Sequence, residues 1–474
     1  MNKAKIYPQG GIKEMMAIAL PMVVSSACDT VMIFTDRLFL SRLNPELMNA
    51  AMSGGLTSFM MMSFFLGLIG YSTALVAQYF GAGKKNKSAV VVTQAMVIAL
   101  VAYPVILLCR PLAFLLFNNS GISSAQMASQ TIYFNILLSA VIFSLFRCVF
   151  SSFFSGIGKT KIVMKASLFA MFMNVFLNYI LIYGKLGLPA LGIRGAAYGT
   201  ILGSISGLAI LMWGYFKKEN RDEYHIRQSF CFDKETMGKL LRFGYPAGAE
   251  MFFNILAFNI MVMIFYSCGP VAATAATIVF NWDMVSFIPL IGVEIGVTSL
   301  VGRYMGAQNP QIAERSVLSG IKMGVVYSSI ILVLFLGFPE ILVNFFKPDE
   351  ATEIFEQARP LAVFMVRWAC LYVLIEAVIV ALTGALRGAG DSFWAMALSV
   401  GLHWSLVPIL YVLLKVFGFS VKVGWIVLIA TFFIFSFFIY LRYKSGNWKK
   451  IKMVPDENEI LANIHDDFHE RADL

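Results

Sequence analysis

Six carboxylic acids, Asp29, Asp36, Glu250, Asp283, Glu294 and Glu376, stand inside long apolar stretches of this sequence. At a bilayer centre each costs at least ~2.5 kcal/mol unless it meets water, a cation or a partner, so these are the positions where chemistry is to be sought. Asp29 and Asp36 are seven apart, which on an α-helix points both to nearly the same side. Farther on, Asn174 and Asn178 are one turn apart, and Thr200 is flanked by Gly195, Gly199 and Gly203, placing neutral oxygens on helices able to approach closely. One carboxylate with amide and hydroxyl oxygens suits Na⁺, whereas a carboxylate alone in an apolar wall suits H⁺; the residue types admit either ion. The plainer reading is that Asp36 is merely wetted near the outer end of its span, that Arg37 snorkels away from it, and that the amides and hydroxyl are packing hydrogen bonds worth ~0.6 kcal/mol each.

The second half of the chain offers Glu250, Asp283, Glu294 and Glu376. Asp283 and Glu294, eleven apart, share a helix face and predict an acidic cavity, which Phe252, Phe253, Phe258, Trp282 and Met284 would line with ring faces and thioethers suited to an organic cation or a second coupling ion. Arg367 is expected to neutralise one of these acids, while Arg147 and His403 have no partner deducible from sequence. His465 and His469 are four apart, but without further ligands they read as a solvated helix and not as a metal site. No GxxxxGK[ST] loop, hydrolytic triad or metalloprotease spacing occurs, so the energy source implied is an ion gradient, with no cofactor beyond Na⁺ or H⁺.

The elements that must position these groups follow from composition. With 59% hydrophobic and 14% charged residues, the chain departs from soluble domains, where roughly a quarter of residues are charged. About twelve membrane helices are predicted, at 14–40, 51–80, 88–108, 127–154, 162–185, 194–216, 240–267, 271–304, 313–337, 359–386, 394–416 and 421–443. The net charge of +10 is spread over short loops after the second, fourth and sixth spans (Lys84, Lys85, Lys87; Lys159, Lys161, Lys165; Lys217, Lys218, Arg221). That pattern argues for membrane orientation, with both termini cytoplasmic, and against a nucleic-acid partner. Span one lacks a convincing cleavage site and is expected to remain as a helix. Six scattered cysteines give no disulfide framework and read as small apolar packers.

An internal repeat organises the spans. Ser72-Thr73-Ala74-Leu75-Val76-Ala77-Gln78-Tyr79-Phe80-Gly81-Ala82 is echoed by Val297-Thr298-Ser299-Leu300-Val301-Gly302-Arg303-Tyr304-Met305-Gly306-Ala307 at an offset of 225, which Pro21 and Pro246 share. Gly156-Ile157-Gly158-Lys159 and Gly388-Ala389-Gly390-Asp391 match at a slightly larger one. The fold class expected is all-α and polytopic: an N-lobe over 1–216, a cytoplasmic linker over 217–239, a C-lobe over 240–443 related to the first by an axis along the membrane normal, and a mobile polar tail over 444–474.

These segments resemble the MATE (multidrug and toxic compound extrusion) family across nearly the whole chain. The residues carrying the resemblance are Ala19-Leu20-Pro21-Met22, Thr35-Asp36, Ala74-Leu75-Val76-Ala77-Gln78 with Gly81-Ala82-Gly83, Leu177-Asn178-Tyr179, the stretch 182–192, and Gly384-Ala385-Leu386-Arg387-Gly388-Ala389-Gly390-Asp391. The resemblance implies a functional monomer and an ion-coupled antiporter of organic cations. It places the N-lobe cation site on Asp36, Asn174, Asn178 and Thr200, and the tenth-helix acid on Glu376. Asn178 is similar to the NorM-like branch, which leans toward Na⁺. The seventh helix departs from that branch: Phe252-Phe253 is followed by Asn254 where a glutamate is expected, with Glu250 one turn earlier to take its place, or Glu294 to take over its work. A lipid or lipid-linked saccharide flippase of the same superfamily is the rival reading, and would call for a basic cavity. A membrane-embedded enzyme or a scaffold is disfavoured by the missing catalytic cluster and by the buried acids.

Overall fold

The computed structural model describes residues 8–118, 124–347 and 353–454; the pair His465 and His469, with the acidic end of the tail, lies outside them. Among the described residues there are helices and no strands: α1 (Ile12–Ser41), α2 (Pro45–Gly70), α3 (Ser72–Gly81), α4 (Lys85–Leu108), α5 (Arg110–Asn118), α6 (Ser124–Ser139), α7 (Val141–Gly156), α8 (Thr160–Tyr183), α9 (Ile193–Phe216), α10 (Lys218–Glu223), α11 (Lys234–Tyr266), α12 (Pro270–Gly306), α13 (Pro310–Gly337), α14 (Pro339–Asn344), α15 (Glu353–Ala389), α16 (Ser392–Tyr411) and α17 (Val421–Lys444). Eleven units are long and apolar enough to cross a bilayer, with α2 and α3 acting as one span, and α6 with α7, bent by 46°, supplies a twelfth. The number expected from hydropathy is therefore met.

Local signals set the ends. Asp233 caps α11 by accepting from Thr236 N–H at 2.9 Å, Pro270 opens α12 where no intrahelical donor is needed, and Gly184, at φ +68°, turns the chain out of α8. Large side chains such as Leu100 on α4, Phe172 on α8 and Ile330 on α13 stand exposed, which a bilayer accommodates and water would not. Inside, one core gathers Phe134, Phe150, Phe153 and Tyr215, a second gathers Phe265, Phe280, Tyr372 and Trp425, and a third joins Met15 and Ile18 of α1 to Val297 and Leu386.

That third core marks where the halves meet, and the meeting is pseudo-symmetric. A methyl group on Gly81 would lie 1.8 Å from the Arg303 carbonyl oxygen, and one on Gly306 would lie 2.0 Å from that of Gln78. The offset of 225 carries Gly81 to Gly306 and Gln78 to Arg303, so the two echoed segments cross each other through equivalent atoms. The same offset relates the approach of Gly67 to Gly248 (2.8 Å to its Cα) and of Gly292 to Val23 (2.6 Å to its Cα). Hydrogen bonds at this end tie half to half: Ser299 Oγ donates to Ser155 O at 2.6 Å, Tyr304 OH to Glu14 Oε2 at 2.8 Å, and Gln78 Nε2 to Gly388 O at 2.9 Å.

Three expectations change here. The stretch between α9 and α11 is more than a tether: Glu223 meets Lys85 at 3.0 Å and Lys159 at 3.5 Å, Gln94 Nε2 donates to Cys231 O at 2.8 Å, and Asp233 pairs with Lys87. Burial pushes the Glu223 carboxyl up, but the two lysines outweigh it and hold it below the usual carboxylate range. The tail is folded in its first part, because Trp448 and Met453 are apolar enough to bury almost completely. Among the cysteines, Cys28 and Cys370 are buried packers as expected, whereas Cys231 is exposed on the connecting stretch.

Candidate cation-binding sites

Asp36 is only 4% exposed, which removes the reading of a wetted acid near a helix end. The glycines of α9 explain its surroundings. Gly195, Gly199 and Gly203 let α9 pack against the backbone of α8, so that Asn174, Asn178 and Thr200 converge on the carboxylate from two helices. Thr200 Oγ1 donates to Oδ2 at 2.5 Å, Asn174 Nδ2 donates to Oδ1 at 3.2 Å, and Asn178 Nδ2 donates to the same Oδ1. Tyr133 OH on α6 adds a bond to Oδ2 at 3.4 Å. These four donors are neutral, so the carboxylate is solvated by dipoles, with Arg37, next in sequence, within electrostatic reach but not among the groups bonded to it.

The other ends of the two amides complete the picture. Asn174 Oδ1 and Asn178 Oδ1 are buried without a hydrogen-bond partner. Orphaned oxygens of this kind are costly unless a cation or a solvent molecule meets them. Carboxylate, two amide oxygens and a hydroxyl form an oxygen set of the type that holds Na⁺, and the residues present fit that ion. The sequence reading missed Tyr133, which reaches Asp36 from across the α6–α7 bend.

The C-half acids do not form one cavity. Eleven residues along α12 put Asp283 and Glu294 on one face, but at 1.5 Å per residue roughly 16 Å apart along the axis. Glu294 and Glu250 instead share one guanidinium: Arg387 Nη1 donates to Glu294 Oε1, and Arg387 Nη2 lies 2.9 Å from Glu250 Oε2. Arg367, expected to do this, is exposed. Asp283 accepts from Tyr372 OH at 2.5 Å, and Glu376, one turn beyond Tyr372 on α15, lies within electrostatic reach of Asp283 with its Oε2 buried and unpartnered. Asn254 is taken up elsewhere, donating to Ser399 Oγ at 2.8 Å.

Asp283 and Tyr372 open onto a pocket whose aromatic wall is Phe258, Phe280, Trp425 and Phe432, with His403 beside them. Of the five residues expected to rim an acidic chamber only Phe258 lines it. Trp282 turns away to donate to Leu342 O at 3.0 Å, and Met284 and Phe253 are exposed. The two groups without a deducible partner both have one: Arg147 Nη2 donates to Asp29 Oδ1 at 2.8 Å, and His403 Nδ1 donates to Ser399 O at 2.8 Å.

Residues 21–180 and 246–412, more than half of the chain, match the MatE family. The chain belongs to this family. Relatives of the MatE protein include a probable multidrug resistance protein NorM of Thermotoga maritima, 28% identical with 92% of this chain and 93% of the relative covered. Another is the multidrug resistance protein NorM of Vibrio cholerae, 25% identical with 82% and 86% covered. Among solved structures, MATE in complex with MaL6 superposes with a TM-score of 0.84 at 20% identity, covering 93% of this chain and 97% of that one. An outward-facing multidrug resistance MATE transporter of the MOP superfamily superposes with a TM-score of 0.82 at 20% identity, covering 93% and 97%. The protein is thus a NorM-like MATE transporter, with the all-α fold of twelve membrane helices that the sequence pattern predicts.

Proposed function

We propose that this transporter is a secondary antiporter that exports organic cations in exchange for Na⁺ or H⁺ by alternating access, with Asp36 as the coupling acid. The observation that carries the reading is the buried Asp36 carboxylate, hydrogen-bonded by neutral donors, two of which are amides whose own oxygens are left orphaned. Such a site gains most from a cation, and the oxygen set favours Na⁺. The relatives' names as multidrug resistance proteins support efflux as the direction of transport.

The lobes proposed are residues 1–216 and 240–443, working as a monomer in the inner membrane with both termini cytoplasmic. Lys84, Lys85, Lys87 and Lys159 lie near the end where the halves are pressed together, so by the positive-inside rule that end is cytoplasmic and the state is closed to the cytoplasm. Asp36 lies thirteen residues beyond Val23 on α1, roughly 20 Å from the closed end, where a cation from outside would reach it. The Asp283–Tyr372–Glu376 group and its aromatic cavity serve as a second cation or substrate site. Arg147 and Arg387 are each matched by carboxylates, which counts against the basic cavity that a phosphate-carrying lipid would need.

The test is transport by protein reconstituted in liposomes, following efflux of a fluorescent organic cation under an imposed Na⁺ or H⁺ gradient, one at a time. Gradient-driven efflux in the wild type that is lost in Asp36→Asn supports antiport and identifies the ion. Absence of cation efflux under either gradient would overturn it in favour of a lipid flippase.

A further inference from the structure

The chain does not end its structural role at α17. Residues Asn447–Lys450 make a short turn in which Trp448 is fully buried, stacked on Tyr443 at 5.3 Å, while Lys449 pairs with Glu314 at 2.7 Å. The backbone then runs across the closed end of the molecule and delivers Met453, 1% exposed, to the place where the echoed segments cross. Its thioether sulfur accepts from Gln78 Nε2 at 3.1 Å and from Tyr71 OH at 3.4 Å, both in the N-half. On the opposite side it abuts the C-half: a methyl group on Gly390 would lie 2.6 Å from that sulfur. Gln78 joins the two sides by donating also to Gly388 O.

The N-half carries a related device. After α9 the chain also folds back, and Tyr224, 1% exposed, packs on Phe153 at 5.2 Å under the ammonium of Lys159 at 5.6 Å. Arg303, the repeat equivalent of Gln78, reaches to Gly158, where a methyl would lie 2.2 Å from its Nη2.

We propose that the segment Asn447–Val454 is an inner strap, with Met453 as the plug that holds the two halves together at the cytoplasmic end and must leave the crossing before that end can open. A side chain wedged between groups of both halves cannot keep both sets of contacts once the halves part. Methionine suits the task, since an unbranched thioether fills an irregular gap and leaves it at little cost in directed hydrogen bonds. The proposal rests on the alternating-access reading above, and the test separates the two.

In full-length protein with the native cysteines replaced, two reporters are compared with Met453 left in place: Ile451→Cys for the strap, since Ile451 packs on the same core as Met453, and Ser299→Cys for the parting of the halves, since Ser299 bonds Ser155 across the interface. Each is exposed to a membrane-impermeant maleimide on the cytoplasmic side, at rest and during gradient-driven efflux. The strap predicts slow labelling of both at rest and a rise of about tenfold in both during turnover. A rise at Ser299→Cys without one at Ile451→Cys overturns the strap and leaves alternating access standing; no rise at either overturns both. Labelling of Ile451→Cys as fast at rest as during turnover also overturns the strap. As a second variant, Met453→Ala combined with Ser299→Cys should label about tenfold faster at rest, because the closed end has lost its plug. An unchanged resting rate would make Met453 a passenger and not a seal.

Discussion

The two halves bury carboxylates in opposite ways. In the N-half, Asp36 is surrounded by neutral donors from Asn174, Asn178, Thr200 and Tyr133, and among the described residues it forms no ion pair. In the C-half, Glu250 and Glu294 close on Arg387, and their charge is largely used up inside the protein. The same functional group thus serves two ends. A carboxylate among dipoles is a site waiting for a cation, whereas two carboxylates on a guanidinium form a clamp between α11, α12 and α15. The Asp283–Tyr372–Glu376 group stands between these extremes, acidic and, among the described residues, without an ion pair.

The largest effect should come from breaking the clamp. Arg387→Ala leaves Glu250 and Glu294 buried without a counter-charge and is expected to cost about 3–5 kcal/mol of stability, seen as a fall in the unfolding temperature of the detergent-solubilised protein. Adding Glu250→Gln and Glu294→Gln should restore most of the loss; if the triple variant is as unstable as the single one, the clamp is not electrostatic.

The next effect sharpens the N-half side. A methyl group on Gly199 would lie 2.0 Å from Asn178 Oδ1, so Gly199→Ala must push that amide off Asp36. Loss of one well-placed ligand predicts roughly a tenfold weaker apparent affinity for the driving cation, about 1.4 kcal/mol, with the unfolding temperature little changed. Concentration dependence of efflux on Na⁺ measures it, and an unaltered affinity would remove Asn178 from the site. The smallest effect lies outside both. Glu223→Gln, which loosens the half-exposed bridges to Lys85 and Lys159, should change stability by at most about 1 kcal/mol.

How far the sequence carried depends on the kind of signal. Spans follow from hydropathy, and the 225-residue echo announced segments that prove to cross through equivalent glycines. Asp36 and its α8 and α9 partners were legible because helical spacing and a glycine stripe are local features. Tyr133 was not, since α6 reaches the site only through a 46° bend that no periodicity records. For the C-half acids, spacing gave the face but not the depth, which separated Asp283 from Glu294. Arg387 was overlooked for Arg367 because its approach depends on Gly384, where a methyl would lie 2.8 Å from the Glu294 carbonyl oxygen. Met453 was hidden by the polar composition of the segment around it.

The central claim is that the N-half acid, and not the C-half clamp, takes up the coupling ion. Equilibrium binding of radioactive ²²Na⁺ to purified protein, at fixed pH with proton release followed in parallel, tests it most directly. Saturable binding, with proton release where Na⁺ displaces a proton from the carboxylate, is expected to disappear in Asp36→Asn and to persist in the Arg387→Ala, Glu250→Gln, Glu294→Gln triple variant. Cation binding that survives Asp36→Asn and vanishes in the triple variant would contradict it.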